Sequence, residues 1–348
     1  MIRRRSAIVA LLLAAVLVVS GCGGTAPHKH AGTLDGSTVP VKRDDRRCDG
    51  VSYRDVLGHA PSYGAAALRR FPASSLACKA MWLPHLGRWF VPQSLALDGH
   101  TAWVSGYTWH ENVGDRACRL LHVRLRTGEV LADQGRLVGA PEGRTPTFCR
   151  HGGGLAMNWR GLWIAEKERL WLVDPAKVGT GQRAVLRVWS IKSPVFGSTT
   201  VIRHRRIGLA FFRRQHDSGI KWFRIRDLMA DGVLDLVGVA TDPSQVAPVA
   251  RARVPGYIQG MTYRPGHRGL MVAASRRGCG VLILADGTTI DVMPGIEDFE
   301  FTGHNRVWAI SESSSKVYQR TDGPMVPMLT KFNARKLLAL PTGGRCRR

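Results

Sequence analysis

Acidic residues are scarce in this chain: 26 Asp and Glu stand against 50 Lys and Arg in 348 residues, a formal charge of +24. Such an excess bears on partners and solubility rather than on fold. It is carried by 40 arginines and only 10 lysines, with no block of five basic residues; the densest pieces are Arg203–Arg206 and Arg213-Arg214. The charge is therefore read mostly as solvated surface. It is compatible with anionic lipid head groups or acidic wall polymers, and nucleic acid is not the expected partner. No Cys-x-x-Cys pair is present, which removes zinc ribbons and thioredoxin-like redox sites. Gly-x-Ser-x-Gly, His-Glu-x-x-His and Gly-x4-Gly-Lys are missing too, so a nucleophile elbow, a zincin helix and a phosphate loop are excluded. The apolar run Ala7–Val19 has thirteen residues, too few for a permanent bilayer-spanning helix.

That short run carries information of its own. Arg3, Arg4 and Arg5 precede it, and Val19-Ser20-Gly21-Cys22 closes it. A basic start, a short apolar stretch and small residues make a secretory signal. With the cysteine in place, the pattern resembles a bacterial lipoprotein signal. The resemblance implies that Cys22 carries a palmitate-type lipid and that the chain sits at the extracytoplasmic face of a cell membrane. The expected division is a signal peptide over 1–21, a polar tether over 22–47, a segment over 48–90 that packs on or closes the main domain, and that domain over 91–348. Six cysteines remain for an oxidising compartment. Cys118–Cys149 is the first expected disulfide, bracketing one repeat; Cys48–Cys78 and Cys279–Cys346 are the leftover pairs, and Cys48 with Cys346 is an alternative.

From Phe90 onward one pattern recurs. Gln93–Leu97 precedes Ala102–Gly106, and Gly153–Met157 precedes Leu162–Glu166. Ser198–Ile202 precedes Ile207–Phe211, Gln259–Tyr263 precedes Leu270–Ala274, and Glu297–Phe301 precedes Val307–Ser311. Each pair alternates apolar and polar residues around a short turn, which reads as a hairpin. Third strands are expected at Arg119–Arg124, Arg169–Asp174, Ile220–Ile225, Gly280–Leu284 and Lys316–Arg320. Weaker fourth strands follow at Glu129–Asp133, Ala184–Trp189 and Thr289–Met293. Four-stranded units repeating every forty to sixty residues or so predict an all-β fold, a β-propeller of five or six blades. Each blade has two apolar faces, so Trp103, Trp163 and Trp308 are expected between blades.

The phrases Pro92–Leu97 with Trp103-Val-Ser, and His151–Ala156 with Leu162-Trp-Ile-Ala, resemble blades of the gluconolactonase/regucalcin-like six-bladed propellers. The resemblance implies a divalent ion, calcium or zinc, held by a Glu, an Asn and an Asp on separate inner strands, and lactone hydrolysis as the activity. Glu297 matches the Glu, whereas Gln93 and Gln259 stand where Asn is expected and no Asp is identifiable. The expected reading is therefore a propeller that binds an unknown ligand or protein partner at its channel mouth without catalysis or cofactor. Propeller topology gathers Gln93, His151, Glu166, Gln259, Glu297, Asp298 and Glu312 at that mouth, with Tyr107 and Trp109 beside them. Glu297 and Asp298 are adjacent on a strand, so their side chains are expected to leave on opposite faces.

Overall fold

The computed structural model describes residues 47–213, 218–276, 278–319 and 323–343. Cys22, the leader, nearly all of the tether, and Cys346 lie outside the described residues. Five antiparallel sheets follow one another around an axis. The first blade holds Phe90–Asp98, Thr101–Thr108, Ala117–Arg124 and Val130–Gly135. The second holds Gly154–Asn158, Gly161–Glu166, Arg169–Val173 and Val185–Ile191. In the third, Thr199–Arg203, Arg206–Ala210 and Ser218–Arg224 are joined by Ala250–Val254. The fourth runs through Ile258–Tyr263, Leu270–Arg276, Cys279–Ile283 and Thr289–Asp291. In the fifth, Ile296–Thr302, Arg306–Ser311 and Leu329–Asn333 are completed by Ala77–Met81.

The first strand of each blade is innermost, and each touches the inner strands of both neighbours, first to second and onward to fifth and back to first. The protein is a closed five-bladed β-propeller. Five apolar clusters fill the five spaces between blades. Trp103, Trp163 and Trp308 sit in three different ones, because a two-faced sheet of alternating apolar residues is buried only by a sheet on each side. Trp163 and Trp189 lie fully buried with their rings stacked at 5.5 Å between the second and third blades.

Closure comes from the chain's own N-terminal part. Ala77–Met81 is the outermost strand of the fifth blade, antiparallel to Leu329–Asn333, with Met81 opposite Leu329. The segment 48–90 is thus part of the ring and not a separate layer on it. Before that strand, Leu68 bridges to Met325. The expected third strand at Lys316–Arg320 is displaced. Residues 312–319 form turns, and Leu329–Asn333 takes the place, since it carries the apolar alternation that the Ser- and Lys-rich stretch lacks. The fourth strand of the third blade arrives only after an excursion in which Asp235–Leu236 and Gln245–Val246 add to the edge of the second blade in parallel. Disulfides join Cys48 to Cys78 and Cys118 to Cys149. Cys279 is also oxidised.

Candidate functional site at the channel mouth

Three of the five inner strands begin with the same irregularity. In the first blade Pro92 pairs with Gly106 and Ser94 with Ser105, leaving Gln93 unpaired. In the fourth, Ile258 pairs with Ala274 and Gly260 with Ala273, leaving Gln259 unpaired. In the fifth, Ile296 pairs with Ser311 and Asp298 with Ile310, leaving Glu297 unpaired. A bulge of this kind re-aims one side chain out of the alternation. Here three bulges bring Gln93, Gln259 and Glu297 to one place at the starts of the inner strands.

The group is closed by Glu312, in the loop after the second strand of the fifth blade. Gln93 Nε2 donates to Glu312 Oε2 at 2.8 Å, and Gln259 Nε2 donates to Glu297 Oε1 at 3.0 Å. The two carboxyls are themselves hydrogen-bonded, and Tyr318 donates to Glu312. Tyr318 Oη lies 3.3 Å from Tyr107 Oη, and the Tyr107 ring stacks on His151 at 4.7 Å. The Arg116 guanidinium covers Trp109 at 3.6 Å and reaches over Tyr107 at 5.5 Å. The result is a polar chain running Gln259–Glu297–Glu312–Tyr318–Tyr107, bordered by aromatic rings.

Burial raises both carboxyls. The negative charge of Glu312 raises Glu297 further, while hydrogen bonds from Gln93, Glu297 and Tyr318 hold Glu312 back. Both carboxyls thus hold their protons to higher pH than usual, and Glu297 the more so because the negative charge of Glu312 opposes its own ionisation. Burial also pushes Tyr318 up to about 12 and raises Tyr107, so both phenols stay protonated. His151 is pulled down to about 4, chiefly by burial and then by Arg116, so its ring is neutral.

Two residues expected at the mouth do not join this group. Glu166 is buried and held by three donors: the Arg150 amide at 2.9 Å, Arg169 Nη1 at 2.9 Å and Trp171 Nε1 at 3.2 Å. Its nearest reactive neighbours, Cys118 and Cys149, are bonded to each other, so the three cannot act as metal ligands. Asp298, past the bulge, turns to the first blade's inner strand while Glu297 meets Gln259. It accepts from the Ser94 hydroxyl and from the Leu95 amide at 3.2 Å. Ser94 Oγ in turn accepts from the Leu155 amide at 2.9 Å, so Asp298 and Ser94 tie three inner strands together. Gly260 makes room for this: a Cβ there would meet the Glu297 carbonyl oxygen at 2.7 Å.

The donor set does not fit the ion site of the gluconolactonase-like propellers. The third acid, Asp298, is turned into the strand interface, and Gln93 and Gln259, each one methylene longer, stand where Asn is expected. Among Gln93, Gln259, Glu297 and Glu312 there is no imidazole or thiolate of the kind zinc requires. Two carboxyls and two carboxamides, already hydrogen-bonded to one another in pairs, fall short of the six to eight oxygens typical of calcium. Ser94, Arg116, Glu300 and Tyr318 were not singled out from the sequence. An acid between Phe299 and Phe301 in an inner strand was a readable signal for Glu300; the others depend on which loop folds over which.

No protein-family model and no curated protein sequence matches the chain. Among solved structures, hydrazine synthase of Kuenenia stuttgartiensis is similar at 10% identity, with TM-score 0.33, over 70% of this chain and 86% of that one. The Cps50 (Swd1) β-propeller domain of Myceliophteria thermophila is similar at 11% identity, TM-score 0.34, over 70% and 83%. A glucose dehydrogenase is similar at 12% identity, TM-score 0.33, over 80% and 86%. Likeness at this level carries no inference about activity, and the propeller is read from the chain's own sheets.

Proposed function

We propose that this is an exported lipoprotein, held at the extracytoplasmic face of a cell membrane by lipid on Cys22, whose propeller binds a ligand or protein partner at its channel mouth without catalysing a reaction. The observation that supports the binding reading is the convergence of three bulged residues from three blades on one hydrogen-bonded chain of carboxyls, amides and phenols. Such a chain offers both donors and acceptors to a polar, uncharged group. Its carboxyls are already engaged within the chain, Glu297 by Gln259 and Glu312 by Gln93. A lactone hydrolase of the gluconolactonase-like type needs a bound divalent ion to activate water, so the two readings separate on metal dependence.

Anchoring rests on the Val-Ser-Gly-Cys sequence. Among the described residues no helix is long and apolar enough to cross a membrane. Cys22→Ala is expected to accumulate as unprocessed precursor or to leave the membrane fraction, measured by fractionation and mass spectrometry of the N-terminus. Normal processing with unchanged membrane retention would remove the lipoprotein assignment.

A further inference from the structure

The face opposite the channel mouth carries a second feature. A groove of about 960 Å³ opens along the third blade and reaches Tyr263 at the end of the fourth blade's inner strand. Six arginines line it, Arg203, Arg205, Arg206, Arg224, Arg226 and Arg251, and no acid does. Asp227 stands outside the lining and meets Arg226 at 3.2 Å and Arg224 at 3.9 Å.

The arrangement is costly without a ligand. Arg206 and Arg224 are direct cross-strand partners, and like charges in that position destabilise a sheet. Among the described residues neither Arg205 nor Arg206 has an ion-pair partner. Other groups are already oriented. The Arg203 guanidinium lies over the Tyr263 ring at 4.2 Å and donates to the Arg268 carbonyl at 2.6 Å; Arg251 donates to the Gly238 carbonyl at 2.7 Å. Trp222 lies across Gly208, its partner in register, where a Cβ would meet the ring at 3.0 Å.

We infer that this groove binds a linear polyanion whose charges are phosphates. Planar guanidinium forks match phosphate oxygens two at a time, and arginine keeps its charge at every working pH. Several forks along one groove suit phosphates in series. Its concave form suits a chain rather than the flat surface of a bilayer. Single-stranded nucleic acid would need successive aromatic faces for its bases. Here Arg203 already covers Tyr263, which leaves Trp222 alone.

The test is calorimetric titration of the purified protein in about 0.1 M salt, where exposed charges are screened beyond roughly 10 Å. The probes are inorganic polyphosphate, oligo(glycerol phosphate), a thymidine oligonucleotide of equal charge and phosphatidylglycerol vesicles. One or both phosphate chains should bind saturably, and the arm that binds more tightly identifies the source. Arg206→Ala with Arg224→Ala should weaken that binding at least tenfold while leaving the melting temperature equal or higher. Arg206→Gln alone should weaken it in the same direction, which covers a double variant that folds poorly. Arg126→Ala with Arg335→Ala removes the same charge from exposed sites elsewhere and should change affinity less than twofold. Equal loss in the two double variants would overturn the inference in favour of net charge. Vesicle binding without chain binding, or tighter oligonucleotide binding that Trp222→Ala abolishes, would overturn it as well.

Discussion

A chain that begins at Pro84 is expected to show no cooperative unfolding transition. The part removed includes Ala77–Met81, the strand that completes the fifth blade, so Leu329–Asn333 would lose its outer partner. It also includes Met81, Trp82 and Leu83, which are 0%, 2% and 2% exposed in the cluster between the fifth and first blades. Burying a large apolar side chain is worth roughly 1.5–3 kcal/mol. Three of them approach the whole stability of an ordinary domain, about 5–15 kcal/mol. The Cys48–Cys78 disulfide pins the same strand to the segment before it and would be lost at the same time. A milder change, Trp82→Ala, should cost about 3–5 kcal/mol and lower the midpoint of a urea titration without changing its slope. Near-native melting of the truncated chain would mean that the ring does not depend on this strand.

The second large effect concerns pH. Glu300 sits on the fifth blade's inner strand and accepts the Leu97 amide of the first blade at 2.8 Å. Burial pushes its carboxyl up to about 7, and it raises Glu297, Glu312 and Asp298 as well. A carboxyl whose folded value exceeds its unfolded value stabilises the fold while protonated, and that contribution is lost as pH rises through the folded value. For Glu300 the full swing is about 3 kcal/mol at roughly 1.4 kcal/mol per unit. His151 acts in the opposite sense. Its folded value near 4 lies below the unfolded one, so it withdraws stability as pH falls below about 6.5. The melting temperature should therefore rise by several degrees from pH 8.5 to pH 6.5 and continue to rise, less steeply than the acids alone would give, down to about pH 4.5, because His151 offsets one of them. Glu300→Gln keeps an acceptor for the Leu97 amide and should flatten the alkaline side, ending more stable than wild type at pH 8.5. A flat wild-type profile across that range would show that these acids are solvated.

The blades were legible because each repeats a local signal. Ala102-Trp103-Val104 and Val307-Trp308-Ala309 show a period of two within a few residues, and a hairpin needs little more. Non-local pairing left no such mark. Ala77-Cys-Lys-Ala-Met81 resembles none of the repeats, and it becomes a strand only because Leu329–Asn333 offers an unpaired edge about 250 residues later. That pairing settles the count at five blades, one fewer than in the six-bladed family the sequence resembles. The candidate site was legible as a set of residue types and only partly as a place. Gln93, Gln259, Glu297, Glu312 and His151 do meet near the axis, whereas Glu166 and Asp298 were drawn into blade contacts. The difference lies in the bulges. Alternation predicts that Glu297 and Asp298 diverge, but which of the two faces the mouth is set by a skipped pair in the ladder, and a single extra residue leaves no trace in composition.

Melting curves of wild type and Glu297→Gln, each with calcium, with zinc and with a chelator, separate a binding mouth from a metal-dependent hydrolase. An ion that binds only the folded state raises the melting temperature, by an amount that grows with the logarithm of its concentration over Kd. With burial holding Glu297 and Glu312 protonated to higher pH than usual, and with Gln93 and Gln259 donating to them, the wild-type curves should superimpose under all three conditions, and the variant should fold and show no metal effect. A rise of several degrees with calcium or zinc in the wild type, abolished by the chelator and absent from Glu297→Gln, would contradict the non-catalytic reading.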